Sequence, residues 1–495
     1  MVGGVSRREF CAAPAILRSL SKSKPNLLLL MSDQHRADWM GCDGNRMVRT
    51  PALDSLAAAG TRFQHAYSST PTCTPARAAL LTGMSPWRHG MLGYGRVAEK
   101  YPVEMPRLLG EAGYRTTGIG KMHWSPQRNQ HGFHQTILDE SGRVESVDFR
   151  SDYRAWFGTE APNLDPDATG IGFNDYTAKS YVLPERLHPT SWTGDVAVRL
   201  LESYQRSEPW FLKVSFARPH SPYDPPQRWW DRYAQDRLPE AVAGPWAAQY
   251  RPRNSQRDDI WHGDVGAELV HRARIGYSGS VSFVDEQIGR IVETLTRRGW
   301  MEETVVVYLS DHGDMLGDQN LWRKSYAYEA SARIPMILRG PGVERGKVSR
   351  TPVEIRDVLP TLLAAAGVGK PEACDGENML AARREWIDLE HNVCYDKTNH
   401  WTALTDGEWK YIFHAFDGRE ALFHLAADPK EITDLAGNPT HEAALRLWRG
   451  RMTEHLAPRG EGWVRAGAPA LRPESYPYGS NYPKAAGSST PEAVK

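Results

Sequence analysis

The chain has 495 residues, 40% hydrophobic and 24% charged, with Lys plus Arg equal to Asp plus Glu at 60 each. Length allows two or three domains of about 150 residues, and balanced charge gives no reason to expect nucleic acid or an anionic membrane as partner. Five cysteines (Cys11, Cys42, Cys73, Cys374, Cys394) are too few and oddly numbered for a disulfide scaffold.

At the N-terminus Ser6-Arg7-Arg8-Glu9-Phe10 precedes the short apolar segment Cys11–Leu17. This resembles a twin-arginine export signal, which implies a periplasmic or secreted protein whose residues 1–24 lie outside the mature fold. Arg18 cuts the apolar stretch short, so a disordered basic tail on a cytoplasmic protein is the alternative. Next comes Asn26–Ser32, a continuous apolar run of the kind expected for a strand buried on both faces. Its core, Leu27–Met31, is far too short to span a bilayer, so no membrane span is expected. Thr50-Pro51 should open a helix that runs to Ala59, with Gly60 as its stop. Pro75 suits the first turn of another helix, to about Leu81, with Cys73 at its start. Buried-strand patterns recur at 115–120, 210–217, 304–310 and 335–339, and a long helix is expected over 271–298. This alternation predicts an α/β fold with a large, mostly parallel sheet between helices, spanning 25–368 as a catalytic domain.

Composition changes after Val368. Residues 369–384 read as a polar linker. Short strands are expected at 392–395, 401–405, 409–414 and 421–424, followed by a helix at 441–456. These make a small antiparallel sheet with one helix, a second domain over 385–457. Residues 458–495 are rich in Pro, Gly, Ser and Tyr and read as an extended tail. The tail also carries Trp463, Tyr476, Tyr478 and Tyr482, too many aromatics for a solvated linker. It is expected to pack against the main domain or a neighbouring subunit, the second case making a homo-oligomer.

Ionisable residues collect at the strand ends: Asp33 with Gln34, Lys121 with His123, His220, and Asp311 with His312. Ligands of open α/β sheets bind beyond the carboxyl ends of the strands, so these segments should share one edge. Cys73 at a helix start, with Arg77 one turn in, offers free N–H groups and a bidentate donor for an anion. Asp33, Gln34, Asp311 and His312 can assemble one divalent metal site. Three further blocks are noted: Gly120-Lys121-Met122-His123, Arg218-Pro219-His220-Ser221-Pro222, and Trp322-Arg323-Lys324.

Cys73-Thr-Pro-Ala-Arg77 followed by Ala-Ala-Leu-Leu-Thr-Gly83 resembles the signature of the type I (formylglycine-dependent) sulfatases, in the alkaline phosphatase superfamily. The Asp311 block, the Lys121 block and the His220 block resemble that family's others, in its order. The resemblance runs from Pro25 to about Ala457. It implies hydrolysis of a sulfate ester through Cys73 oxidised to formylglycine by a maturation enzyme. The metal, calcium first and manganese second, would sit on Asp33, Gln34, Asp311, His312 and the residue-73 side chain. The hydrated formylglycine would present a geminal diol: Asp311 would take the proton of the hydroxyl that attacks sulfur, and His123 that of the second one, restoring the aldehyde. Arg77 and Lys121 would steady the formylglycine. His220 and Lys324 would bind the sulfate and protonate the leaving alcohol.

The chain departs from the family where many members have Asp-Asp at Asp33-Gln34 and Asn at His312. Its set resembles the branch of choline sulfatases and phosphonate monoester hydrolases, so a phosphonate monoester or phosphodiester is the alternative substrate. Ala76 stands where Ser is common. The alcohol is not identified; His65, Tyr94, His188 and Trp192 are candidates for its pocket.

Overall fold

The computed structural model describes residues 24–141 and 149–483. The twin-arginine segment and the last residues of the tail lie outside them. Eight strands form the main sheet: β1 (Asn26–Asp33), β2 (Thr61–Phe63), β3 (Arg115–Gly120), β4 (Gln135–Leu138), β5 (Trp210–Pro219), β6 (Thr304–Ser310), β7 (Met336–Arg339) and β8 (Lys347–Ser349). Their order across the sheet is β4-β3-β5-β1-β6-β7-β2-β8. All neighbours are parallel except around β7, which runs antiparallel to both β6 and β2.

β1 lies at the centre between β5 and β6, which explains its unbroken apolar run. Leu27, Leu29 and Met31 face one core, shared with helix α2 (Cys73–Thr82) and helix α5 (Val358–Ala365). Leu28 and Leu30 face the other, against α1 (Pro51–Ala58), α3 (Pro189–Ser203) and α4 (Ala267–Arg297). Register decides what meets at the edge. Ser32 pairs with Ser310, Asp33 with Pro219, and Gly120 with Ser215, so the segments that leave β1, β3, β5 and β6 emerge side by side.

The C-terminal sheet is antiparallel, in the order β9 (Ile387–His391), β10 (Trp401–Thr405), β11 (Trp409–His414) and β12 (Glu420–His424). One face packs on Tyr326 and Tyr328 of the main body, and the other is covered by α6 (Glu442–Leu456). The strand expected at 392–395 is instead a loop, and the first strand lies just before it. Asp388 and Glu390 hid it. Both carboxylates are buried, but Arg356 and Arg459 pair with them at 2.6 Å, so a wholly buried strand carries polar letters. Residues 369–384 lie against the body, where Arg384 pairs with Glu354 and Asp357. The tail lies on the main body of its own chain: Tyr478 bridges to Met91, and Pro477 O accepts from Leu92 N and Gly93 N. Among the described residues no helix is long and apolar enough to cross a membrane.

Candidate active site

α2 begins at Cys73, and every residue of it is buried. Ala76, Ala78 and Ala79 allow that depth by keeping the helix thin, and no side chain caps its first turn. The preceding Thr72 hydroxyl pairs with Ser325 instead, at 2.7 Å. Arg77, 1% exposed, reaches from the helix to the strand ends. Its Nε donates to Asp311 Oδ2 (2.9 Å), Nη2 to Asp33 Oδ2 (3.0 Å), and Nη1 to Lys121 O and Ser215 Oγ. Lys121 Nζ adds a second cation on Asp33 Oδ2 at 2.5 Å.

Beside this pair stands a group of metal-binding type. Ligand atoms of Asp33, Cys73, Asp311 and His312 all lie within 4.8 Å of one another. Cys73 Sγ is 3.1 Å from His312 Nε2, and that nitrogen is 3.7 Å from an oxygen of each aspartate. His312 Nδ1 donates to Gly313 O (2.9 Å), so Nε2 is left as the lone-pair nitrogen that points at the carboxylates. Gly313 is required here because a Cβ would meet Ala330 O at 2.1 Å. Gln34 is held at a left-handed φ of 71° by its neighbours. Its Nε2 donates to Asp314 Oδ2 (2.5 Å), and Tyr277 OH donates to its carbonyl. The amide oxygen thereby faces Lys324, whose Nζ donates to it at 2.7 Å.

Lys324 Nζ also donates to His220 Nε2 (2.6 Å), while His220 Nδ1 donates to Ser221 O. His220 is thus neutral, with its acceptor nitrogen on a lysine. Phe173 stacks on the His220 ring at 4.4 Å and lies 5.0 Å below Lys121 Nζ. Lys121 follows Gly120, whose φ of +86° and contact with Ser215 O exclude a side chain. His123 closes the same turn: Glu140 accepts its N–H and that of Met122, and Tyr94 meets its ring edge-on at 6.1 Å.

Burial raises the cost of every charge here, so the partners decide the protonation states. For Asp33, burial pushes the carboxyl up, but Lys121, Arg77 and His312 hold it well below the usual range. Burial and Asp33 push the Cys73 thiol up, yet Lys324, His312 and Lys121 outweigh them and lower it. Burial drives His220 far below the usual imidazole range, and Lys324 reinforces the effect. For His312 burial acts downward, and Asp311 with Cys73 overcomes it, leaving a raised value.

Of the sequence-predicted residues, Cys73, Arg77, Asp33, Gln34, Asp311, His312, Lys121, His220 and Lys324 form one connected cluster, and His123 ends the turn that carries Lys121. Among the four pocket candidates Tyr94 touches the site, through His123. His188 instead caps α3 and faces Asp224, Trp192 fills the core, and His65 packs by Gly407. Sequence reasoning missed Phe173, Glu140 and Ser215. Asp314 was visible in the Asp311 block, and its role, orienting Gln34, needs the fold.

Comparison with known proteins bears on the family and the fold. A family model described as Sulfatase matches residues 25–368, and one described as N-sulphoglucosamine sulphohydrolase, C-terminal, matches 317–457. An arylsulfatase of Clostridium perfringens is 35% identical, with 89% of this chain and 96% of that one covered. A choline-sulfatase of Rhizobium meliloti is 32% identical over 88% of each chain. The phosphonate monoester hydrolase of Agrobacterium radiobacter has the same fold, with a TM-score of 0.74 at 22% identity, covering 91% of this chain and all of that one. The chain belongs to the sulfatase family, the hydrolases of sulfuric esters.

Proposed function

We propose that this sulfatase works with Cys73 oxidised to formylglycine and with one divalent cation held by Asp33, Asp311, His312 and the residue-73 side chain, Gln34 completing the set. The observation that carries the reading is the meeting of four buried ligand atoms within 4.8 Å at the start of α2. Two carboxylate donors and one imidazole nitrogen fit Ca2+, and the nitrogen makes Mn2+ the alternative. The cation, when bound, acts as a Lewis acid and lowers the pKa of a hydroxyl beside it.

The protein's own groups divide the remaining work. With the formylglycine hydrated to a geminal diol, Asp311 accepts the proton of the hydroxyl that attacks sulfur, and residue 73 is sulfated as the alcohol leaves. Arg77 and Lys121 hold that position and its developing charge; such fixed donors in a dry site are worth about 10²–10³ in rate each. His220 and Lys324, 2.6 Å apart, share a proton that one of them delivers to the departing alcohol oxygen as the S–O bond breaks. His123 takes the proton of the second hydroxyl as the C–O bond to the sulfate breaks, which frees sulfate and restores the aldehyde. Export through the Arg7-Arg8 segment, oxidation of Cys73 by a maturation enzyme and self-association belong to the same proposal.

Peptide mass tests it first: matured Cys73 should be lighter than cysteine by about 18 Da. Full turnover by Cys73→Ala would refute the mechanism. Parallel assays with sulfate monoesters and phosphonate monoesters decide the reacting group, and phosphonate preference would overturn the sulfate reading.

A further inference from the structure

Lys324 has no strand or helix to hold it. Residues 322–328 are irregular, and both of its neighbours take the left-handed backbone, Arg323 at a φ of 66° and Ser325 at 80°. Residues other than glycine enter that region rarely, and they stay there only where the surroundings over-determine the backbone. Here the surroundings come from three distant parts of the chain. Arg323 O accepts from Met315 N (2.7 Å), which ties the segment to the block of Asp311 and Asp314. Ser325 N donates to Pro71 O (2.8 Å) and Ser325 Oγ pairs with Thr72 Oγ1, which ties it to the entrance of α2. The third tie comes from the C-terminal sheet: Asn399 Nδ2 and Trp401 Nε1 both donate to Ser325 O, at 3.0 and 3.1 Å.

The two donors are themselves held in place. β10 begins at Trp401, and His391 of β9 stacks on its ring at 5.8 Å. The same imidazole donates from Nδ1 to Asn399 O (2.9 Å). Ser325, Asn399 and Trp401 are all buried. One donor would satisfy a buried carbonyl; two rigid side chains aimed at the same oxygen also decide where it stands. One residue before that carbonyl, Lys324 Nζ reaches Gln34 Oε1 at 2.7 Å and His220 Nε2 at 2.6 Å. Ser325 also holds Thr72, so it links the residue that attacks sulfur to the lysine beside the leaving oxygen. A misplacement of about 1 Å between such groups costs up to about 10²-fold in rate.

We infer that Asn399 and Trp401 are positioning residues for the reaction: by holding the Ser325 carbonyl they keep Lys324 against His220, where the departing alcohol takes its proton. The C-terminal sheet thereby acts on the chemistry through the backbone of the main body. The inference rests on the reading that Lys324 and His220 serve the leaving oxygen.

The test is a leaving-group series, 4-nitrophenyl, phenyl and 4-methoxyphenyl sulfate, with full-length protein whose formylglycine is confirmed by mass. 4-Nitrophenolate departs with little help, whereas the two poorer leaving groups need the proton as the S–O bond breaks. Lys324→Arg keeps the cation but cannot yield its proton, and serves as the reference. It should lower kcat/KM for 4-methoxyphenyl sulfate at least about tenfold more than for 4-nitrophenyl sulfate. Equal losses on all three substrates would overturn the reading of Lys324, and the inference with it. Asn399→Leu and Trp401→Phe each remove one donor, and each should shift the same ratio about threefold; the double variant should shift it about tenfold. A selective Lys324→Arg together with a wild-type ratio in the Asn399 and Trp401 variants, even if their turnover falls uniformly, overturns the positioning role alone. Melting temperatures report loss of fold. If one single variant fails to fold the other decides, and if both fail the two side chains are structural and the inference falls.

Discussion

Replacing Arg77 with methionine removes the guanidinium that donates to both candidate metal-binding aspartates. Met is long and apolar enough to occupy much of the same space, so the change is chiefly one of charge. In the native protein Asp33 and Asp311 carboxylates sit 3.0 and 2.9 Å from the guanidinium, and all three side chains are fully buried. Without it Asp33 keeps Lys121, while Asp311 Oδ2 loses its cation. Breaking a buried pair leaves an uncompensated charge and costs about 3–5 kcal/mol. In a chain of this length the unfolding entropy near the midpoint is roughly 1 kcal/mol per degree, so the melting temperature in chelator should fall by about 3–5 °C. Added Ca2+ or Mn2+ should recover part of the loss, because a dication supplies the missing partner. Turnover should stay about 10²–10³-fold down even at saturating cation, since the positive charge proposed to stabilise the reacting position 73 is gone. The assay is thermal unfolding of wild type and Arg77→Met with chelator and with cation, followed by steady-state kinetics. A melting temperature in chelator within about 1 °C of wild type would refute the argument that this arginine neutralises the carboxylates.

Further outcomes are expected from the same structure. Asp33→Asn and Asp311→Asn should each lose bound cation by elemental analysis together with activity; retained metal in both would reject the ligand set. Burial, helped by Arg77, brings the Lys213 ammonium down to about 7 from 10.5. Between those values the unfolded chain binds the extra proton, so stability should rise with pH from 7 toward 10.5, approaching about 1.4 kcal/mol per pH unit for this group. Urea midpoints at pH 7 to 9 should show that rise in wild type and lose it in Lys213→Met; parallel curves would contradict it. Deleting residues from Ser475 removes the acceptor for Leu92 and Gly93 and the Tyr478 hydroxyl that accepts from Arg96 N. The loop that carries Tyr94 should become cleavable in limited proteolysis, and an unchanged digestion pattern would dismiss the tail as its brace.

Much of the fold was legible because β1, β5 and β6 are buried on both faces and so read as largely apolar runs ending in charged residues. The site was legible for the same reason: apart from Lys324, the candidate site residues stand within a few positions of a strand end or in the first turns of α2. β9 was misplaced because its two carboxylates are neutralised by arginines distant in sequence, and local patterning carries no trace of such pairing. Phe173 was missed on similar grounds. It sits in an irregular segment just after Gly170 and Gly172, and only the fold brings its ring onto His220. Linear spacing also cannot distinguish a histidine at the site from one behind it, which is why His188 and Trp192 were offered for a pocket they support only from the core.

The depth of Cys73 has a consequence for the order of events during synthesis. Its side chain is closed in by His312, 239 residues later in the chain, and the preceding Thr72 is held by Ser325, 253 residues from it. At about 5–20 residues per second, a ribosome needs on the order of 10–50 seconds to produce that distance of chain. Throughout the interval the thiol motif has emerged and nothing exists to cover it. After α2 is sealed the thiol is 3% exposed, and an enzyme acting on it would have to unfold the centre of the main sheet. The nascent chain therefore carries its own clock: any covalent change at position 73 must win against the arrival of β6.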